Sequence, residues 1–205
     1  MTIKPNLRER RRLATQSEIE DAALSLFEQE GFEGATVDAI AAGAGVSAST
    51  FFRYFPTKED AALGAGRTFE ALLTARFAGL AAGTSTLRDV EEAVADALGE
   101  LGSDRPDAVR RMLRVRRAMA RDEALRSAAL RREAEQCERF RRMLARATGN
   151  DVADDGRSRL LAETVSVTLR VAFDTWAAQP EPGGQAALAE AYRTTCGHLR
   201  EIVSE

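Results

Sequence analysis

Residues 41–58, AAGAGVSASTFFRYFPTK, constrain the fold more than any other stretch of the chain. They read as the end of one short helix, a tight turn over Gly43 to Val46, a second short helix from Ser47 to Phe55 and a stop at Pro56. Two short helices joined by a small-residue turn form a helix-turn-helix, whose second helix enters the DNA major groove. At about 100° per residue, placing Phe51 inward leaves Phe55 about 40° away and Arg53 about 200° away. Ser49 and Thr50 flank Arg53, so the outward face is small, hydroxyl-bearing and headed by one arginine; Thr36, Ser47 and Ala48, at the starts of the two short helices, are further candidate DNA contacts. Small residues permit close approach to a groove, and Arg pairs bidentately with guanine. Phe52 and Tyr54 fall on the flanks, suited to sugar, phosphate or a thymine methyl. A plain core stripe with one surface arginine is the competing account of FFRYF, and the neighbouring signals decide against it.

Those signals begin upstream. Residues 4–12, KPNLRERRR, carry five basic side chains, among them Arg8, Arg10, Arg11 and Arg12, against one acid, a local charge of +4. Alone this is a solvated terminus; ahead of a helix-turn-helix it reads as a basic arm adding phosphate or minor-groove contacts. A first helix is expected from Thr15 to Ser17 onward, with Ile19, Ala22, Ala23, Leu26 and Phe27 as one buried stripe and Gly31 as its left-handed cap. Thr36 caps a second helix through Ile40 and Ala41, and Ser47 opens the third. Thr57 caps a fourth, which puts Lys58 in a first turn as a candidate phosphate contact.

Beyond Lys58 the chain continues in helical periods, and strand-forming residues are sparse, so the expected fold is all-α with about nine helices. The expected domains are residues 1–56, a helix-turn-helix with its arm, and residues 57–205, a larger helical body. One long helix is expected from Lys58 towards Leu80, with Gly64 and Gly66 making its start pliable. Further helices are expected from Thr86 to Leu98 or Leu101, over 106–121 and over 123–147. A loop at 149–156 precedes two closing helices near 157–178 and 185–203. The first of these is apolar around its girth and must be covered on all sides. Pairing with its copy in a four-helix bundle provides that cover; burial inside a monomer is the other way to cover it.

The net charge of −3 does not mark the whole chain as a nucleic-acid binder, but charge is segregated: residues 105–146 hold 14 Arg against 6 Asp and Glu, a balance of +8. A solvated, salt-bridged surface accounts for most of these; an anionic ligand would need a few of them near a pocket mouth. A single histidine and two isolated cysteines, Cys137 and Cys196, supply no disulfide framework, zinc site or catalytic cluster, so an enzyme is not expected and no cofactor is implied. No segment has the apolar length of a membrane span or signal core, and a cytoplasmic location is expected.

At the level of motifs the N-terminus resembles the tetracycline-repressor-like (TetR) regulators. Matching residues are Gly31-Phe32, Thr36-Val37, Ile40-Ala41, Ala44-Gly45-Val46-Ser47, Thr50, Tyr54-Phe55 and Lys58-Glu59, over about residues 15–63. The chain departs from the pattern at Phe52, where the family usually has a phosphate-binding Tyr, and at Ser49, where Gly is common. The resemblance implies a homodimer through the last two helices, an inverted-repeat operator in double-stranded DNA, a small-molecule effector bound in the C-terminal domain, and usually repression. LRVAFDTW, from Leu169 to Trp176, together with FFRYF, further resembles a subgroup described as binding acyl-CoA-like molecules, including regulators of mycofactocin systems. A long apolar pocket with a basic entrance would suit such a hydrophobic or anionic ligand. Its candidate lining is Phe69, Leu73, Met112, Met119, Cys137, Phe140, Phe173 and Trp176, with Arg116 as the basic contact, although core packing explains each of the apolar ones equally well. A DNA-binding factor with no small-molecule effector is the alternative.

Overall fold

The computed structural model describes residues 6–80, 86–148, 156–183 and 186–204. The expected loop at 149–156 and the break after Gly79 fall largely outside them. The described elements are ten α-helices and one 3-10 turn: α1 (Leu7–Gly34), α2 (Val37–Gly43), α3 (Ala48–Tyr54), α4 (Lys58–Ala62), the 3-10 turn (Leu63–Ala65), α5 (Gly66–Phe77), α6 (Leu87–Asp104), α7 (Pro106–Met119), α8 (Glu123–Thr148), α9 (Gly156–Ala178) and α10 (Ala187–Ser204). No strand occurs among the described residues, and no helix there is long and apolar enough to cross a membrane.

Helix α1 corrects one expectation. It starts at Leu7, eight residues before Thr15, so Arg8, Arg10, Arg11 and Arg12 ride on a helix rather than on an extended arm. The cause is local: Asn6 Oδ1 accepts from the Glu9 amide at 2.8 Å, capping a run of Arg, Glu, Leu and Ala that are all good helix formers. At the other end Gly31 takes φ 74° and ψ 166°, a region open essentially to glycine, and kinks the helix there.

A second correction lies after Lys58. The long helix expected from that residue is interrupted by the 3-10 turn at Leu63–Ala65, where Gly64 and Gly66 offer no side-chain packing to hold an α-helical path. The other starts follow their signals. Thr86 and Asp89 form a reciprocal capping box on α6, and Pro106 occupies the first position of α7, where its missing N–H costs nothing.

The described chain divides into two compact units. The first comprises residues 6–65 together with Ala118–Ala129, the turn between α7 and α8 with the residues flanking it. Its core joins Ile19, Ala23, Leu24 and Phe27 of α1 to Ile40 of α2, Phe51 of α3, and Leu125. The second unit holds residues 66–117 and 130–204. In it α9 packs on α10, α10 on α6, and α6 on α5. Helix α9 buries Leu161, Val165, Leu169 and Phe173 on one side. Leu160, Val167 and Val171 stay exposed on the other, as do Ile202 and Val203 at the end of α10.

Candidate nucleic-acid interface

The turn into α3 is built by two hydrogen bonds around one glycine. Val46 N donates to Ala41 O at 2.9 Å and Gly45 N to Ala42 O at 3.0 Å, with Gly45 at φ 66°, the geometry of a Schellman cap. Ser47 then starts α3, its hydroxyl accepting from the Thr50 amide and donating to the Thr50 hydroxyl, both at 3.1 Å. Thr36 does the same for α2, accepting from Ala39 N at 3.2 Å. Both hydroxyls hold the motif's shape.

Helix α3 has the two faces that its periodicity requires. Phe51 and Phe55 are fully buried, with ring centroids 5.9 Å apart, while Ser49, Phe52 and Arg53 are exposed. Ala48, Thr50 and Tyr54 are half-buried. The Arg53 guanidinium sits 5.5 Å from the Tyr54 ring centroid, which limits its wandering without taking up its N–H donors. Phe52 is 55% exposed, its ring edge-on to Phe51, an unusual position for a phenylalanine in a soluble helix.

The basic residues of α1 lie on exposed turns, and Arg12 pairs with Glu9 at 2.7 Å, a contact that lowers the Glu9 carboxyl below its ordinary value.

Lys58 is placed differently from the expected phosphate contact. Its ammonium donates to Phe32 O at 2.6 Å and Ala35 O at 3.0 Å and lies 4.4 Å from the Phe32 ring centroid. The carbonyls that close α1 have no helical partner further along, and the ammonium supplies one. On the other side of Phe32, its amide donates to Asp122 Oδ2 at 2.6 Å. The other Asp122 oxygen accepts from Leu125 N at 2.9 Å, capping α8. The Leu125 and Phe32 amides, and then the Lys58 charge, hold the Asp122 carboxyl below its usual range. Asp122 went unnoticed in the sequence, where only its place just before Glu123 marks it as a cap.

In the second unit, Phe69, Leu73, Met112, Phe140, Phe173 and Trp176 are buried. Phe69 and Phe173 make a ring contact at 6.2 Å, as do Phe77 and Phe140. The Trp176 indole donates to Pro182 O at 3.0 Å. Cys137 is half-buried, with its thiol pushed up by burial. Met119 is buried too, but it belongs to the first unit. Arg116 lies 5.1 Å over the Phe173 ring and is paired with Glu133 at 2.8 Å and Asp174 at 3.3 Å. Other arginines of this region have internal tasks: Arg117 donates to Ala177 O and Gln179 O at the end of α9, and Arg139 pairs with Glu70 at 2.6 Å. Among the described residues no group of His, Cys, Asp and Glu is arranged to hold a metal.

Residues 19–62 match the model of the bacterial regulatory proteins of the tetR family. The chain is 29% identical over 198 residues to the HTH-type transcriptional regulator TcmR of Streptomyces glaucescens, spanning 96% of this chain and 87% of that protein. Its fold is similar to that of the fatty acid degradation regulator FadR from Bacillus halodurans, with a TM-score of 0.54 at 19% identity, over 97% of this chain and 99% of the other. It is likewise similar to NalD, the secondary repressor of the MexAB-OprM multidrug efflux pump in Pseudomonas aeruginosa, with a TM-score of 0.52 at 22% identity, over 89% and 96%. The two-faced α3, seated on the buried aromatics that this motif requires, thus lies within the segment that matches the tetR family of bacterial regulatory proteins, in a chain similar along most of its length to a transcriptional regulator.

Proposed function

We propose that the chain is a ligand-responsive repressor that binds an inverted-repeat operator as a homodimer in the cytoplasm. The observation that carries this reading is the division of α3: Phe51 and Phe55 anchor it, while Ser49, Phe52 and Arg53 face outward. Arg53 reads a guanine; Phe52 supplies apolar contact to a thymine methyl or sugar; Arg8, Arg10, Arg11 and Arg12 add phosphate contacts. Two copies pair through the exposed apolar residues of α9 and α10, which sets two α3 helices one helical turn of DNA apart, about 34 Å.

The effector occupies the second unit among Phe69, Leu73, Met112, Phe140, Phe173 and Trp176. Pairing of Arg116 with two carboxylates leaves a local surplus of negative charge, so an uncharged, mainly apolar effector suits these residues better than an acyl-CoA phosphate or a free carboxylate placed at Arg116. The burial and mutual ring packing of these same side chains favour a second reading, a DNA-binding factor with no effector.

Selection of bound duplexes from a random library tests the proposal. Enrichment of two inverted half-sites one turn apart is expected. Enrichment of a single half-site, or of none, defeats the dimeric reading, and a thermal midpoint unmoved by every apolar effector candidate favours the second reading.

A further inference from the structure

Phe32 is gripped from both sides of its backbone. Asp122 Oδ2 takes its amide at 2.6 Å and the Lys58 ammonium takes its carbonyl at 2.6 Å, while Lys58 also holds Ala35 O at 3.0 Å. The grip falls where the chain changes direction, between the Gly31 kink and the Thr36 cap of α2. Whatever fixes residues 31–36 fixes the angle at which α2 leaves α1. The Schellman turn at Gly45 is tight, and α3 follows α2 with little freedom of its own. The Phe32 ring is buried edge-on to Phe27 at 5.2 Å, so the gripped residue is also wedged into the α1 core.

The two gripping side chains both come from later in the sequence, 26 and 90 positions on from Phe32. Lys58 opens α4 and Asp122 precedes α8, and they carry opposite charges. One carboxylate serves two elements, with Oδ1 on the α8 amide of Leu125 and Oδ2 on Phe32. Capping alone uses only the first oxygen. The second bond, at 2.6 Å to a residue 90 positions away, has no part in building α8. Charge-assisted bonds of this kind are short and directional, which suits a joint whose angle matters.

We infer that Asp122 is a positioning residue for DNA reading: together with Lys58 it locks the Phe32 backbone and so sets the pose at which α3 presents Arg53 to the groove. This rests on α3 being the reading helix.

The test uses the full-length protein with the operator found by library selection and a random duplex of equal length. Asp122→Asn keeps one carbonyl oxygen to cap α8, since Asn caps as well as Asp, but leaves Phe32 N–H without its acceptor. Its expected signature is a loss of operator affinity of about tenfold, with random-duplex affinity and salt slope as in wild type, because the phosphate contacts are untouched. Lys58→Met is expected to cost operator affinity also, and the double variant to lose less than the two singles combined, since both act on one residue. Arg53→Ala serves as the control. If Arg53→Ala relaxes selectivity while Asp122→Asn binds operator and random duplex as wild type does, the inference is overturned. A strictly additive double variant overturns it as well. If Arg53→Ala itself leaves selectivity intact, the assignment of α3 as the reading helix has failed instead. Thermal midpoints measured alongside separate a merely destabilised protein, whose loss appears on both duplexes, from a mispositioned one, and a loss on both duplexes counts against the inference.

Discussion

Arg200 near the end of α10 pairs with Glu91 of α6 at 2.5 Å, and the two are not equally wet: the Glu91 side chain is 8% exposed and that of Arg200 57%. Among the described residues the second Glu91 oxygen and the Tyr192 hydroxyl are both buried without a hydrogen-bond partner, and burial pushes the Cys196 thiol of the same helix as Tyr192 up to about 11. The pair therefore neutralises a carboxylate that the α6–α10 packing has already drawn from water.

Removing the arginine should leave that charge stranded. Arg200→Ala is expected to destabilise the protein by about 1 to 3 kcal/mol. Adding Glu91→Gln should restore part of the loss. Denaturant unfolding of the single and double variants reads both effects, and an unchanged midpoint for Arg200→Ala refutes the argument.

Arg53 should carry sequence information. Arg53→Ala is expected to cost about 1 to 3 kcal/mol of operator binding and to relax preference at one base pair per half-site. Repeating library selection with the variant shows whether that position loses its preference; retention of all preferences excludes Arg53 as a base contact.

Lys58 should behave unlike a phosphate anchor. A lysine on a phosphate changes the salt slope by about 1 when removed. With its ammonium on Phe32 O and Ala35 O, Lys58→Met is expected to weaken operator binding while changing that slope by much less. Affinities measured across a salt series decide between the two.

The exposed apolar residues of α9 should be covered by a second copy. Val167 and Val171 are 46% and 45% exposed, and one buried charge there costs several kcal/mol. Val171→Asp is expected to give monomers in sedimentation and to lose operator binding while keeping its helical circular dichroism. A variant that remains dimeric locates the interface elsewhere.

Asp122 implies an acid limb in the stability profile. Its carboxyl is held low, chiefly by the Leu125 and Phe32 amides, so its contribution is complete above the ordinary aspartate value and is lost as pH falls through the lowered folded value. The stability difference between wild type and Asp122→Asn should be constant above about pH 5 and shrink towards pH 3. A difference that grows on acidification contradicts the assignment.

Helix α3 was legible because its signals are local. Ser47, Gly45 and the Phe51–Phe55 spacing act within a few residues of one another, and periodicity alone sorts Arg53 from the buried aromatics. The start of α1 was misjudged for the opposite reason: a basic run looks like an arm when charge is read before helix propensity, though Asn6 and Glu9 mark a cap. Lys58 and Asp122 were not legible in these terms, since their partners lie 26 and 90 positions away and a cap or a charge does not announce which distant carbonyl or amide it serves. The same holds for Arg116, a candidate for an anionic ligand until folding brought Glu133 and Asp174 to it.

Residues 118–129 give the first compact unit a noncontiguous makeup, and that bears on how such a protein is inherited and recombined. A gene fragment ending near Ala65 encodes the reading helix but not the carboxylate that steadies its approach. Exchange of DNA specificity between relatives therefore proceeds most easily by changing the outward residues of α3 in place, because a wholesale graft must carry two separated stretches of chain whose matching side chains, Phe32 and Asp122, have to arrive together.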